Sequence, residues 1–252
     1  MTDASIPAPF APSDFRVGGV LSRTSSVLSR HFLVFIVVTV VANLPLVLLA
    51  QGVTSMAGGE APGQSAIIML VVGFVLFFVL NILSQAVIVH AAFQAMRSRP
   101  ISLGESIGVG LARFLPIIGL AFLSGFLIGL GILLLIVPGL ILVTMWLVGT
   151  PACVVERLGP WASLKRSAAL TKGHRWKVFG LLALLSIVNI IVSQLVELAL
   201  APFGNIVLSM LGTLIWSALW GAYYAIAVVV TYHDLRVAKE GVDIEQIASV
   251  FD

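Results

Sequence analysis

All 14 lysines and arginines of this 252-residue chain fall in four short segments, and the long apolar stretches between them carry no basic side chain. Arg16, Arg23 and Arg30 form the first group, and Arg97, Arg99 and Arg113 the second. Arg157, Lys165, Arg166, Lys172, Arg175 and Lys177 form the third, and Arg236 and Lys239 close the chain. A soluble fold has no reason to segregate charge in this way. A chain threaded through a bilayer does, because a cation at membrane depth costs roughly 3 kcal/mol or more. Composition agrees: 60% of residues are hydrophobic, 10% are charged and the mean hydropathy is +1.12, well outside the soluble range.

A hydrocarbon core of about 30 Å needs roughly 20 apolar residues per helical crossing. Residues 31–53 and 66–96 each supply one. Residues 116–155 carry no charge, are too long for one crossing and are interrupted by Pro138-Gly139, so they read as a helical hairpin. A fifth crossing follows Lys177 and runs to the Ala201-Pro202-Phe203-Gly204-Asn205 turn, and a sixth occupies 206–232. The expected fold is all-α, a polytopic integral membrane helical bundle with six transmembrane helices. Cations near helix ends stay on the cytoplasmic side, and none lies near Gly58, Pro138 or Gly204. Both the N-terminus and the C-terminus are therefore expected to be cytoplasmic. Pro45 and Pro151 fall within apolar spans and should kink them.

The domain layout follows. Residues 1–14, with Pro7, Pro9 and Pro12, read as a disordered N-terminal tail. Residues 15–236 form the six-helix domain with interfacial helices, beginning with an amphipathic segment over 15–29, and 237–252 form a cytoplasmic C-terminal tail. Ser55-Met56-Ala57 follows an apolar region too long and too late for a cleaved signal peptide. Cys153 is the only cysteine; it allows no intrachain disulfide and reads as a packing residue.

Polar side chains inside the spans are the first place to look for function, since an amide in hydrocarbon must be paired. Asn43, Asn81, Ser84 and Gln85 lie in the first two spans, and Ser186, Asn189, Ser193 and Glu197 recur at helical spacing in the fifth. Asn43, Gln85 and Asn189 sit about 18–20 Å from the flanking cations, near mid-bilayer. They either hydrogen-bond between helices or converge on a polar cavity. Glu197, about 30 Å from Lys177, reads as a boundary carboxylate. Gly125 and Gly129 form a G-x-x-x-G pair that suits close packing against the next span or, alternatively, a second copy of the chain.

The connection between the fourth and fifth spans is the most informative hydrophilic segment. It places Lys165, Arg166, Lys172, Arg175 and Lys177 beside Trp161 and Trp176, and indole rings together with cations favour an anionic headgroup layer. A helix on the inner surface, with Leu164, Ala168 and Leu170 toward the membrane, would bind headgroups or a protein partner; fixing topology is the plainer role for the same cations. Gly159-Pro160-Trp161-Ala162-Ser163-Leu164-Lys165-Arg166-Ser167, then Leu170-Thr171-Lys172-Gly173-His174-Arg175-Trp176, resembles the cytoplasmic loop of the glycerophosphoryl diester phosphodiesterase membrane-domain family. Pro138-Gly139 and Tyr232-His233-Asp234-Leu235-Arg236 are similar to further segments of that family, so the resemblance covers 101–236. It implies a bacterial inner-membrane, multi-pass protein without the separate catalytic barrel of the family's enzymes, and it carries over no catalytic residue.

No catalytic signature survives scrutiny. Gly104-Glu105-Ser106-Ile107-Gly108 matches G-x-S-x-G, but a nucleophile elbow needs a preceding strand in an α/β domain. His31, His90, His174 and His233 are scattered, without metal-ligand spacing. The positive charge follows topology instead of gathering on a soluble face, which argues against nucleic acid. The expected protein is non-enzymatic, needs no cofactor or metal, and handles or senses a lipid or other small molecule. The alternative is a scaffold or accessory subunit with a protein partner or a second copy of itself.

Overall fold

A computed structural model describes residues 15–56, 63–97 and 99–241. Among these residues the chain is all-helical and forms three hairpins joined by short helices at the end that carries the cations. The expected N-terminal tail at 1–14 and, of the expected C-terminal tail, residues 242–252 lie outside the described residues, while 237–240 continue the last helix.

The first hairpin begins after α1 (Val17–Arg30), which meets α2 (Phe32–Asn43) at 90°. α3 (Pro45–Met56) continues α2 beyond a break at Leu44, and both run against α4 (Gln64–Met96). The Asn81 amide reaches the Ala42 carbonyl (3.1 Å), while Gly52 packs on Leu70. Progress along one chain is retreat along the other, so α2 and α3 make one antiparallel arm. It breaks at the expected place, because proline has no N–H to continue the helical ladder and its ring crowds the preceding turn.

After α5 (Leu103–Ala112), the second hairpin pairs α6 (Phe114–Leu134) with α7 (Ile136–Trp146). The turn is at Leu135, whose backbone is extended (φ −160°, ψ 137°). It precedes Pro138-Gly139, which occupies the first turn of α7. Gly139 permits the approach of the two helices: a Cβ there would lie 2.2 Å from Ile132 Cγ1 and 2.8 Å from its backbone nitrogen. The helix breaks again before α8 (Gly149–Val155), whose first turn contains Pro151.

α9 (Pro160–Thr171) then crosses the charged end and leads into α10 (Arg175–Leu200). The third hairpin turns through Ala201–Phe203 and Gly204, where φ of 58° suits glycine. Asn205 caps α11 (Ile206–Glu240), its Oδ1 accepting from the N–H groups of Val207 (2.9 Å) and Leu208 (3.2 Å).

Among the described residues five helical segments are long and apolar enough to cross a membrane, and six if the α1–α2 pair counts as one broken span. Fully buried side chains gather at the charged end: Val20, Ile88, Val148, Leu164, Leu170, Leu181, Ile226 and Tyr232. Away from it the hairpins expose Val71 and Phe74, Phe122 and Leu133, Ile191 and Leu198, and Val207 and Leu211. In water each would forgo roughly 1.5–3 kcal/mol of burial. In hydrocarbon that penalty vanishes.

Two packing expectations change. Leu164 and Leu170, assigned to the membrane side, are 2% and 1% exposed and face the bundle. The small hydroxyls of Ser163, Ser167 and Thr171 line the same face of α9 and let it approach closely; Ser167 donates to the Met145 carbonyl beside the α7–α8 break (2.7 Å). Gly125 and Gly129 do not pack against α7: a Cβ on either would meet nothing within 4 Å. The close approach uses Gly131 and Gly139 instead, one from each helix. Gly139→Ala should therefore destabilise the bundle by about 1–3 kcal/mol through overpacking. Gly125→Ala should leave thermal melting in mild detergent unchanged, and equal melting of the two variants would contradict this packing.

Candidate functional site

Arg166 of α9 lies between two carboxylates. Its Nε donates to both oxygens of Glu156 (2.8 Å each), and its Nη2 is 2.6 Å from Glu240 Oε1. The Tyr232 hydroxyl donates to Glu156 (2.6 Å), and Arg236 donates from Nε to Glu240 (3.0 Å) and from Nη1 to the Tyr232 oxygen (3.3 Å). Two residues before Arg236, Asp234 pairs with Arg23 of α1, and the His233 ring nitrogen lies 3.2 Å from the same carboxylate. The aromatic-acid-Leu-Arg segment thus fastens α1, α8, α9 and α11 together. Two arginines against two glutamates leave the central cluster neutral, as befits a clamp.

At about 1.5 Å per residue, the 35 residues of α11 exceed the hydrocarbon thickness, so its charged end stands outside the apolar stretch. Burial tends to raise the Glu240 carboxyl, but hydrogen bonds from Arg166 and Arg236 outweigh it and hold the pKa below its ordinary value. Burial likewise works against the charge on Arg166. Hydrogen bonds to Glu156 and Glu240 prevail there too, and its pKa is raised.

The remaining basic-loop residues divide by environment. Trp161 is exposed beneath the Lys165 ammonium, 5.6 Å from the ring centroid. Lys172, Arg175 and Lys177 are exposed. Trp176 is 85% exposed and meets Phe179 edge-on at 6.1 Å. Where α7 and α10 part, Arg175, Trp176 and Phe179 line a groove of about 380 Å³ with Val137, Leu140 and Ile141.

The amides expected inside the membrane sit in two separate helix pairs. Asn43 donates to the Thr39 carbonyl (2.7 Å), and Asn81 to Phe77 (3.0 Å) and across to Ala42 (3.1 Å). Gln85 is half-buried on α4. Asn189 instead accepts from the Trp216 indole (3.2 Å) between α10 and α11. Of its stripe, Ser193 bonds back to Ile190 (3.0 Å), and Ser186 and Glu197 are exposed. These contacts are what helix packing requires.

A cavity of about 600 Å³ opens between the end of α4, α5 and the α8–α9 turn, lined by Arg97, Arg99, Arg157, Gln94, Ser102 and Glu105, among others. Ser106 adjoins it but is fully buried inside α5. Its hydroxyl bonds the Ser102 carbonyl (2.9 Å) and lies 3.0 Å from His90 Nδ1, so the G-x-S-x-G letters belong to a helix and not an elbow. Among the described residues no three His, Cys, Asp or Glu side chains come together.

Residues 101–235, more than half of the chain, match a family described as a domain of unknown function (DUF7847). The chain belongs to this family. No curated protein and no solved structure matches it. The DUF7847 region begins at Ile101, at the cavity, and ends at Leu235, inside the clamp.

Sequence reasoning missed Glu156 and Glu240 as partners of Arg166, Tyr232 as a donor to Glu156, and Arg97, Arg99 and Arg157 as one group. The available signal was the scarcity of acids: Glu156 and Glu240 lie among the cations with no catalytic motif to explain them. Because the folded-state pKa of Glu240 is depressed, the clamp is fully formed above the ordinary carboxylate pKa and is lost as pH falls through the lower folded value. Thermal stability should therefore drop below about pH 4, with a shallower acid limb in Glu240→Gln. Glu156→Gln should cost about 2 kcal/mol at neutral pH, between the values for exposed and fully buried pairs; an unchanged melting temperature would refute the clamp.

Proposed function

We propose that this DUF7847 protein is a six-crossing integral membrane protein of a bacterial inner membrane, with both termini cytoplasmic, that handles or senses lipid without catalysing a reaction. The observation that carries this reading is the α7–α10 groove. Its walls are apolar, from Val137, Leu140, Ile141 and Phe179, and Arg175 and Trp176 stand at its edge. An acyl chain needs the former, and a headgroup layer favours the latter.

The segregation of cations supports the orientation, and the antiparallel α2–α3 arm supports the sixth crossing. Kinship with stand-alone members of the glycerophosphoryl diester phosphodiesterase membrane-domain family is part of the same reading. The Asn43, Asn81 and Asn189 contacts favour a packing role for the buried amides, so the lipid path runs along the bundle's surface and not through its middle. A scaffold role is the second reading, favoured by the open Gly125–Gly129 face, which suits a second copy or a partner helix.

A photoreactive residue in place of Ile141 or Phe179 should yield phospholipid adducts in native membranes, while one at buried Ile226 should not. Adducts only to protein at the groove positions would favour the scaffold. Cysteine in place of Lys165 should be labelled only from the inner side of vesicles, and cysteine in place of Gly204 only from the outer side; the reverse pattern would invert the topology.

A further inference from the structure

The cavity between α4, α5 and the α8–α9 turn holds a charge imbalance that the fold does not use. Among the described residues Arg23, Arg166 and Arg236 each pair with a carboxylate. Arg97, Arg99 and Arg157 have no such partner, yet all three line this one cavity. Glu105 is the only acid among the lining residues; it is 60% exposed and is bonded by the Gln94 amide (2.9 Å). Like charges gathered in a recess repel one another until an anion arrives.

Both walls are fixed in advance. Arg157 is the only non-glycine residue with positive φ (54°) among those described, a conformation that costs on the order of 1 kcal/mol and persists only where the surroundings enforce it. Arg113 helps to enforce it, its Nη1 donating to the Arg157 carbonyl (3.3 Å). On the facing wall Gln94 gathers the α4–α5 turn: its backbone carbonyl accepts from Arg99 N–H (3.0 Å) and its side-chain oxygen from Ser102 N–H (3.1 Å). Phe93, Val109 and Val154 complete the lining with apolar surface.

From this convergence we propose that the cavity binds a phosphate ester, whose oxygens are shared by Arg97, Arg99 and Arg157 while its organic part lies against Phe93, Val109 and Val154. All three cations are arginines, whose planar forks match phosphate oxygens two at a time. The volume of about 600 Å³ exceeds what a bare phosphate fills and falls in the range of small-ligand sites. The ester is either a phospholipid headgroup entering from the leaflet or a soluble phosphate monoester. The site is separate from the α7–α10 groove, and its occupancy does not depend on lipid binding there.

Full-length protein in mild detergent, titrated calorimetrically with glycerol phosphate and with short-chain phosphatidylglycerol, tests this. At least one probe should bind, more weakly as salt rises. Arg99→Gln, on an exposed turn that the core does not need, should weaken it roughly tenfold, and Arg97→Gln with Arg157→Gln by more. Arg16→Gln with Lys239→Gln removes the same charge elsewhere on the exposed surface and should leave binding unchanged. Binding of phosphatidylglycerol alone identifies the leaflet as the source, and binding of glycerol phosphate a soluble ester. The proposal is overturned if neither probe binds at about 1 mM, or if Arg99→Gln binds like the parent protein. Either failure, with lipid adducts still forming at Ile141, would leave the groove reading standing.

Discussion

The position of Arg166 between Glu156 and Glu240 governs how the three hairpins are arranged. In hydrocarbon, apolar helix faces gain nothing from touching one another that lipid does not also offer. Apolar surface can fold each hairpin on itself but cannot choose the hairpins' mutual orientation. At the charged end that choice is made by polar contacts of fixed geometry, joining α8 to α9 and both to the end of α11, with Asp234 drawing in α1. Water-side burial of Leu164 and Leu170 adds to these contacts and has the same effect.

The cations that mark topology in the sequence thereby acquire three distinct fates. Arg23, Arg166 and Arg236 are neutralised by acids and become part of the framework. Lys165 lies over an exposed indole, and Lys172, Arg175 and Lys177 stand out from the surface. Arg97, Arg99 and Arg157 converge on a recess. Topology requires only that such residues be present on one side; which of them are paired is decided by where the few acids lie.

What the sequence disclosed was local. The long apolar helices, the Pro45 break and the turn at 201–205 follow from hydropathy, a missing N–H and a run of turn residues, all legible within a few residues. The contacts that matter at the charged end link Tyr232 to Glu156 and Asp234 to Arg23, partners far apart in the chain with no periodic pattern connecting them. The glycines illustrate the same limit. Gly125 and Gly129 have the familiar spacing and meet nothing, whereas Gly131 and Gly139, in different helices, make the close approach. For the amides, the helices that carry them were readable from chain length, but the partners Ala42 and Trp216 depend on which helices become neighbours. The loop pattern of small and basic residues was visible as a pattern; its cause, a stripe of hydroxyls meeting the carbonyl at the α7–α8 break, was not.

Concentrating cohesion at one end makes each hairpin a lever pivoted there. With arms of about 30 Å, a rotation of only a few degrees at the pivot carries the far tip on the order of 1–2 Å sideways. No core must be unpacked to allow it, since the side chains that part, such as Phe122, Ile191 and Leu211, already face outward. Under the membrane reading proposed above, the thickness and lateral pressure of a bilayer would act on the free tips with mechanical advantage, and the strain would reach Glu156, Arg166 and Glu240.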